Sequence, residues 1–227
     1  MNKWGHHVPG IIMSRVRVKI CGVRTLEEAD AALDAGADAL GFNFWPRSPR
    51  YIDPSAAREI VRNVSPLASL IGVFVNEEAR RIEDIFSDVG LSAVQLHGDE
   101  TPEFCARMNS IKVIKAFRVG DDFDIGVIRS YPISMALLDA GSKESYGGTG
   151  RSFDWRVAVE ARQFARVILA GGLSIKNVAE AIQQVRPYAI DVCSGVEAEP
   201  GRKDLNKLRM FMAAVSEANA AMANELG

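Results

Sequence analysis

Eight short apolar runs recur along the chain, each followed by a stretch with helical spacing, and this alternation constrains the fold more than any other feature. The runs lie at residues 16–21, 39–44, 69–75, 93–98, 113–119, 135–140, 167–170 and 189–192. Most are continuous rather than alternating, as expected of parallel strands covered on both faces. Eight strand–helix units in roughly 210 residues fit a closed barrel. A doubly wound open sheet is the alternative. Polar residues recur where the runs end, at Cys21, His97, Asp139, Gly171-Gly172 and Asp191. In a barrel these ends converge on one mouth, whereas an open sheet would spread them along an edge. The expected fold class is therefore α/β, a single-domain (β/α)8 TIM barrel.

Local signals support the segmentation. In residues 16–21, Arg17, Lys19 and Cys21 share one face and Val16, Val18 and Ile20 the other. Thr25 followed by Glu28 reads as a capping box, and Gly36 as a helix stop. Asp53-Pro54 opens a helix through Ala57 and Ile60. Further helices are expected from Asn76 through Ile85, weakly over 121–129, from about Asp154, and over 205–221. Residues 1–12, with Trp4, His6-His7 and Pro9-Gly10, have no periodicity and lack the pattern of a signal peptide. They are read as a disordered extension ahead of a barrel domain at 13–227.

Composition narrows the partners. A net charge of −2 gives no electrostatic footprint for nucleic acid or an anionic membrane. No apolar run approaches the ~20 residues that span a bilayer. The three cysteines, Cys21, Cys105 and Cys193, are widely spaced, which argues against a disulfide framework or a CxxC metal site. A reduced, cytoplasmic setting follows.

Chemistry gathers at the strand ends. Gly171-Gly172 and Ser194-Gly195 close consecutive strands, the position where barrels commonly bind phosphate through backbone N–H groups. Cys21 and Asp139 end the first and sixth strands and are candidates for general base and general acid. Lys19, on the same face as Cys21, can supply the charge that favours a thiolate. Arg50, in a loop bounded by Pro46 and Pro49, can present a fork to a carboxylate. His97 and Asp191 either line a pocket or satisfy backbone groups. A packed core thiol and a capping aspartate are the plainer readings of Cys21 and Asp139.

The segments VKICGVRTLEEADAALDAGADALGFNF, RSPRYIDPSAA, GVFVNE, VQLHGDE, LLDA, YGGTGRSFDW, ILAGGLSIKNV and DVCSGVEAEPGRKD occur in this order. Together they resemble the phosphoribosylanthranilate isomerases of tryptophan biosynthesis. The resemblance implies an Amadori rearrangement of N-(5′-phosphoribosyl)anthranilate to 1-(2-carboxyphenylamino)-1-deoxyribulose 5-phosphate. It also implies that Cys21 takes the C2′ proton, that Asp139 protonates the ring oxygen, and that Arg50 holds the anthranilate carboxylate. Gly171, Gly172, Ser194 and Gly195 fall on its phosphate loops, and His97 and Asp191 on pocket positions. It implies no metal or organic cofactor, and a monomer or homodimer acting on a small phosphorylated molecule. The chain departs from that pattern at Cys193, where a serine is usual. Rival readings are another ribosyl-phosphate isomerase, disfavoured by Cys21 because those barrels typically use two aspartates, and a barrel that only binds ligand.

Overall fold

The computed structural model describes residues 15–140 and 153–225, and the extension at 1–12 and the loop at 146–150 lie outside them. Strands β1 (Arg17–Cys21), β2 (Ala39–Asn43), β3 (Ser69–Phe74), β4 (Ala93–Leu96), β5 (Val113–Val119), β6 (Met135–Ala140), β7 (Arg166–Leu169) and β8 (Ala189–Val192) are parallel neighbours in chain order. The pairing of β8 with β1 closes the barrel. Helices α1 (Leu26–Asp34), α2 (Pro54–Asn63), α3 (Ala79–Val89), α4 (Pro102–Arg107), α5 (Arg156–Ala161), α6 (Val178–Val185) and α7 (Leu205–Asn224) accompany the strands.

Two cores result. Val16, Val18 and Ile20 belong to the large apolar layer between strands and helices. The barrel interior holds Ile71, Ile114, Leu137 and Ile168 with the smaller Ala39, Ala116 and Ala189, so bulky and small side chains share the enclosed space. Polar residues complete that interior near its carboxyl-end mouth.

Three local expectations are corrected. The connection expected to be helical over 121–129 forms a 3-10 turn at Ile125–Ser130. Asp124 accepts from the Gly126 N–H at 2.8 Å, and this Asx-type bond with a following glycine competes with an α-helical turn. Helix α3 begins at Ala79, because Asn76 takes a left-handed φ of 52° and its N–H donates to Glu100 Oε1. In the capping box, Thr25 Oγ1 accepts from Glu28 N as expected, but Glu28 Oε2 accepts from Arg24 N rather than from the cap residue.

The other Glu28 oxygen accepts from Lys203 N at 2.8 Å. Glu28 thus ties α1 to a feature missed in the sequence, the antiparallel ribbon β9 (Glu197–Glu199) and β10 (Arg202–Lys203). Among the described residues, no helix is long and apolar enough to cross a membrane.

Candidate active site

At the carboxyl ends of the strands lies a cleft of about 700 Å³, including the solvent at its mouth. Cys21, Arg50, His97, Asp139, Gly171, Gly172, Asp191 and Ser194 all line it, so eight of the nine expected site residues converge. The ninth, Gly195, is packed against the neighbouring loop: a Cβ there would stand 2.0 Å from Leu173 O.

Cys21 is buried where β1 ends. Its strand alternation carries Lys19 into the barrel beneath it, where Lys19 Nζ donates to Asp191 Oδ1 at 2.9 Å. The missing side chain at Gly41 on β2 leaves room for this grouping, since a Cβ there would meet Cys21 Sγ at 2.9 Å and Lys19 Nζ at 3.1 Å. A hydrogen bond from Cys193 holds the Cys21 thiol well below its ordinary range, against burial and with help from the Lys19 ammonium. Burial works against charge on Lys19, but Asp191 and Cys21 outweigh it and raise the ammonium's pKa. Burial and the neighbouring Cys21 push Asp191 up to about 7, while Lys19 opposes the rise. The Cys193 hydrogen bond and the buried Lys19 cation thus both favour the thiolate form of Cys21.

Asp139, also buried, ends β6 with its carboxylate facing His97. His97 Nε2 stands 3.2 Å from Asp139 Oδ2, without hydrogen-bond geometry among the described residues. Gln95, two residues earlier on the same face of β4, donates to His97 Nδ1 at 2.8 Å. In this arrangement the ring proton of a neutral His97 sits on Nε2, toward Asp139.

Arg50 is already engaged. Its Nε and Nη2 donate to Glu197 Oε1 and Oε2 at 3.2 and 2.8 Å, a bidentate pair along one edge of the guanidinium. Lys203 Nζ donates to the same Glu197 Oε1 at 3.2 Å. Burial opposes ionisation of Glu197, yet Arg50 and Lys203 together bring its carboxyl below the usual range.

The loops after β7 and β8 form the remaining wall. Gly171 and Gly172 have φ of 81° and 63°, left-handed values that favour glycine. At Gly171 a Cβ would lie 2.3 Å from Ala140 N, so the loop also presses against the end of β6. Asn177, before α6, accepts from Ser174 N at 2.8 Å and donates to Gly172 O at 3.0 Å, which fixes the loop's shape. The N–H groups of Gly171 and Gly172 have no backbone partner among the described residues and suit an anion.

The family model for N-(5′-phosphoribosyl)anthranilate (PRA) isomerase matches residues 18–214. The chain belongs to the N-(5′-phosphoribosyl)anthranilate isomerase family. Among relatives, the isomerase of Geobacter sp. (strain M21) is 49% identical over 197 residues, covering 87% of this chain and 96% of the relative. That of Thermotoga neapolitana is 48% identical over 199 residues, with 87% and 97% coverage. The solved isomerase of Thermus thermophilus superposes with a TM-score of 0.82 at 37% identity, covering 89% of this chain and 99% of its own. A further isomerase, solved with reduced 1-(o-carboxyphenylamino)-1-deoxyribulose 5-phosphate, gives 0.79 at 43% identity with the same coverage. The chain is an isomerase of this class, active in tryptophan biosynthesis.

Within this isomerase site, Glu197, Lys203, Gln95 and Gly41 were not singled out in the sequence. A period-two reading of β4 from His97 finds Gln95. Glu197 and Lys203 sit in a charge-rich segment, and the β9–β10 ribbon is what folds them inward. Cys193, the departure from the family pattern, directs its thiol toward Cys21, Glu197 and Lys203.

Proposed function

We propose that Cys21 is the general base and Asp139 the general acid of the isomerisation. Arg50 binds the anthranilate carboxylate, and Gly171, Gly172, Ser194 and Gly195 hold the phosphate. Asp139 donates a proton to the ribose ring oxygen as the C1′–O bond breaks, and the anilino nitrogen supplies the electron pair that forms the Schiff base. The Cys21 thiolate then takes the C2′ proton. The C2′–H electron pair becomes the C1′–C2′ double bond, and the imine electrons return to nitrogen. Protonation of the resulting enaminol at C1′, with loss of the C2′ hydroxyl proton as its oxygen becomes the carbonyl, gives the ketose. The substrate's own nitrogen is the electron sink, so these steps call for no cofactor.

One observation carries this reading: Cys21 from β1 and Asp139 from β6 line a single cleft whose wall between them is the glycine loops after β7 and β8. A ligand anchored at those loops lies within reach of both groups. Arg50, held by Glu197 through Nε and Nη2, retains Nη1 for the substrate carboxylate. His97 Nε2 faces Asp139, and Asp191 supports Lys19 beneath the base.

Turnover of enzymatically generated phosphoribosylanthranilate, followed by loss of anthranilate fluorescence, tests the assignment. Cys21→Ala and Asp139→Asn are each expected to lower kcat by about 10²–10⁴-fold while product binding persists. Near-normal turnover in either variant removes that residue from its role. The reaction is assigned to the cytoplasm, with the chain acting as a monomer or homodimer; light scattering separates the two states.

A further inference from the structure

We propose that Cys193 is a positioning residue for the base, its single S–H proton turning toward Cys21 while Cys21 is a thiolate and toward Glu197 once Cys21 has taken the substrate proton. This rests on the reading of Cys21 as the base.

The register of β1 and β8 brings the two thiols together. Ile20 and Val192 are Cα partners, so Cys21, the last residue of β1, and Cys193, the first residue beyond β8, follow them side by side. Both line the cleft. Glycines make the space they occupy, since a Cβ at Gly22 would stand 3.2 Å from Cys193 Sγ, as one at Gly41 would crowd Cys21. The thiols hydrogen-bond to each other, and Cys193 Sγ also lies 3.6 Å from Glu197 Oε1. Lys203 Nζ holds Cys193 from behind, 3.2 Å from its carbonyl oxygen and 3.8 Å from its sulfur.

A thiol has one hydrogen to give and here two acceptors. A thiolate is the stronger acceptor, because a charged partner strengthens the bond. Glu197 loses little when that proton turns away, because Arg50 and Lys203 already donate to it. After Cys21 is protonated, its own S–H no longer competes for the Cys193 hydrogen, which returns to Glu197. The proton stays on Cys193 throughout, and no covalent bond changes there. The environments of the two thiols are driven apart accordingly: Cys193 is pushed well up by its bond to Cys21 and by burial, while Cys21 is drawn down. The other charged groups around the pair are Lys19 and Asp191 below, Lys203 and Glu197 on the ribbon, Arg50 in the β2 loop and Asp139 across the cleft.

The test titrates thiolate absorbance at 240 nm and measures kcat/KM against pH for wild type, Cys193→Ala and Cys193→Ser. In Cys193→Ala the Cys21 titration and the acid limb of kcat/KM are expected to rise together by about one pH unit, a tenfold loss on that limb. The hydroxyl of Cys193→Ser is expected to recover most of the shift. A Cys193→Ala protein that is folded and titrates as wild type overturns the proposal. So does a Cys21→Ala protein that keeps the low titration, which would make Cys193 the thiolate. Loss of turnover in Cys21→Ala, read separately, keeps the base assignment apart from the fate of the switch.

Discussion

Lys19 and Asp191 are Cα partners across the β1–β8 seam, and their side chains meet inside the barrel with Nζ 2.9 Å from Oδ1. Cys21 lies one inward position above Lys19, so cation, carboxylate and thiol share one enclosed space. A buried ion pair gains strength from low dielectric but carries a desolvation cost, and so contributes little to stability by itself. Here the pair's consequence is electrostatic: it keeps a cation under Cys21.

Removing that cation is expected to raise the Cys21 thiol. In Lys19→Met, alkylation of Cys21 by iodoacetamide at pH 7 should slow by about tenfold or more, corresponding to a shift of one unit or more. An unchanged rate would show that Lys19 does not support the thiolate.

Asp191 links stability to pH. Its folded value of about 7 lies above the ordinary carboxyl value. A group raised on folding contributes stability that is fully present below its unfolded pKa and is lost as pH rises through the folded one. Between pH 4 and 8, Asp191 therefore costs on the order of a few kcal/mol. Denaturant midpoints at pH 5 and 8 should fall more steeply for wild type than for Asp191→Asn, and equal slopes would refute the linkage.

Arg50→Ala is expected to raise KM for phosphoribosylanthranilate by about ten- to a hundredfold, the loss of a charged hydrogen bond, with a smaller change in kcat. Glu197 would keep Lys203 as its cation. An unchanged KM would show that the substrate carboxylate binds elsewhere.

Gly195→Ala would force a methyl group against Leu173 O, where no flexible side chain can yield. The loops after β7 and β8 must then separate, and competitive inhibition by inorganic phosphate should weaken at least severalfold. Retained inhibition would place the phosphate away from these loops.

Cys21 and Cys105 should label differently. Cys105 is buried, and desolvation pushes it up to about 11. Mass spectrometry after brief iodoacetamide treatment at pH 7 is expected to find Cys21 modified and Cys105 intact. Labelling of Cys105 ahead of Cys21 would contradict both environments.

Much of this site was legible because strand periodicity is local. Once residues 16–21 are read as a strand, Lys19 and Cys21 must share a face, and the barrel count then brings Cys21, His97, Asp139 and the glycine loops to one mouth. The occupied state of Arg50 was not legible, since Glu197 is 147 residues away along the chain. The Gln95–His97 contact lay within reach of the same period-two rule. The weak helix at 121–129 failed because helical spacing competed with the turn chemistry of Asp124 and Gly126.

The eight-fold alternation, the family and the chemical types at the strand ends are written along the chain, because these depend on periodicity and on the order of short motifs. Which charges meet depends instead on how distant segments fold together. Barrel closure sets β8 beside β1, and with it Asp191 beside Lys19 and Cys193 beside Cys21. The β9–β10 ribbon folds Glu197 and Lys203 under Arg50. Those partnerships join residues far apart in the chain, and hydrogen bonds and ion pairs act over a few ångströms of space rather than along the sequence.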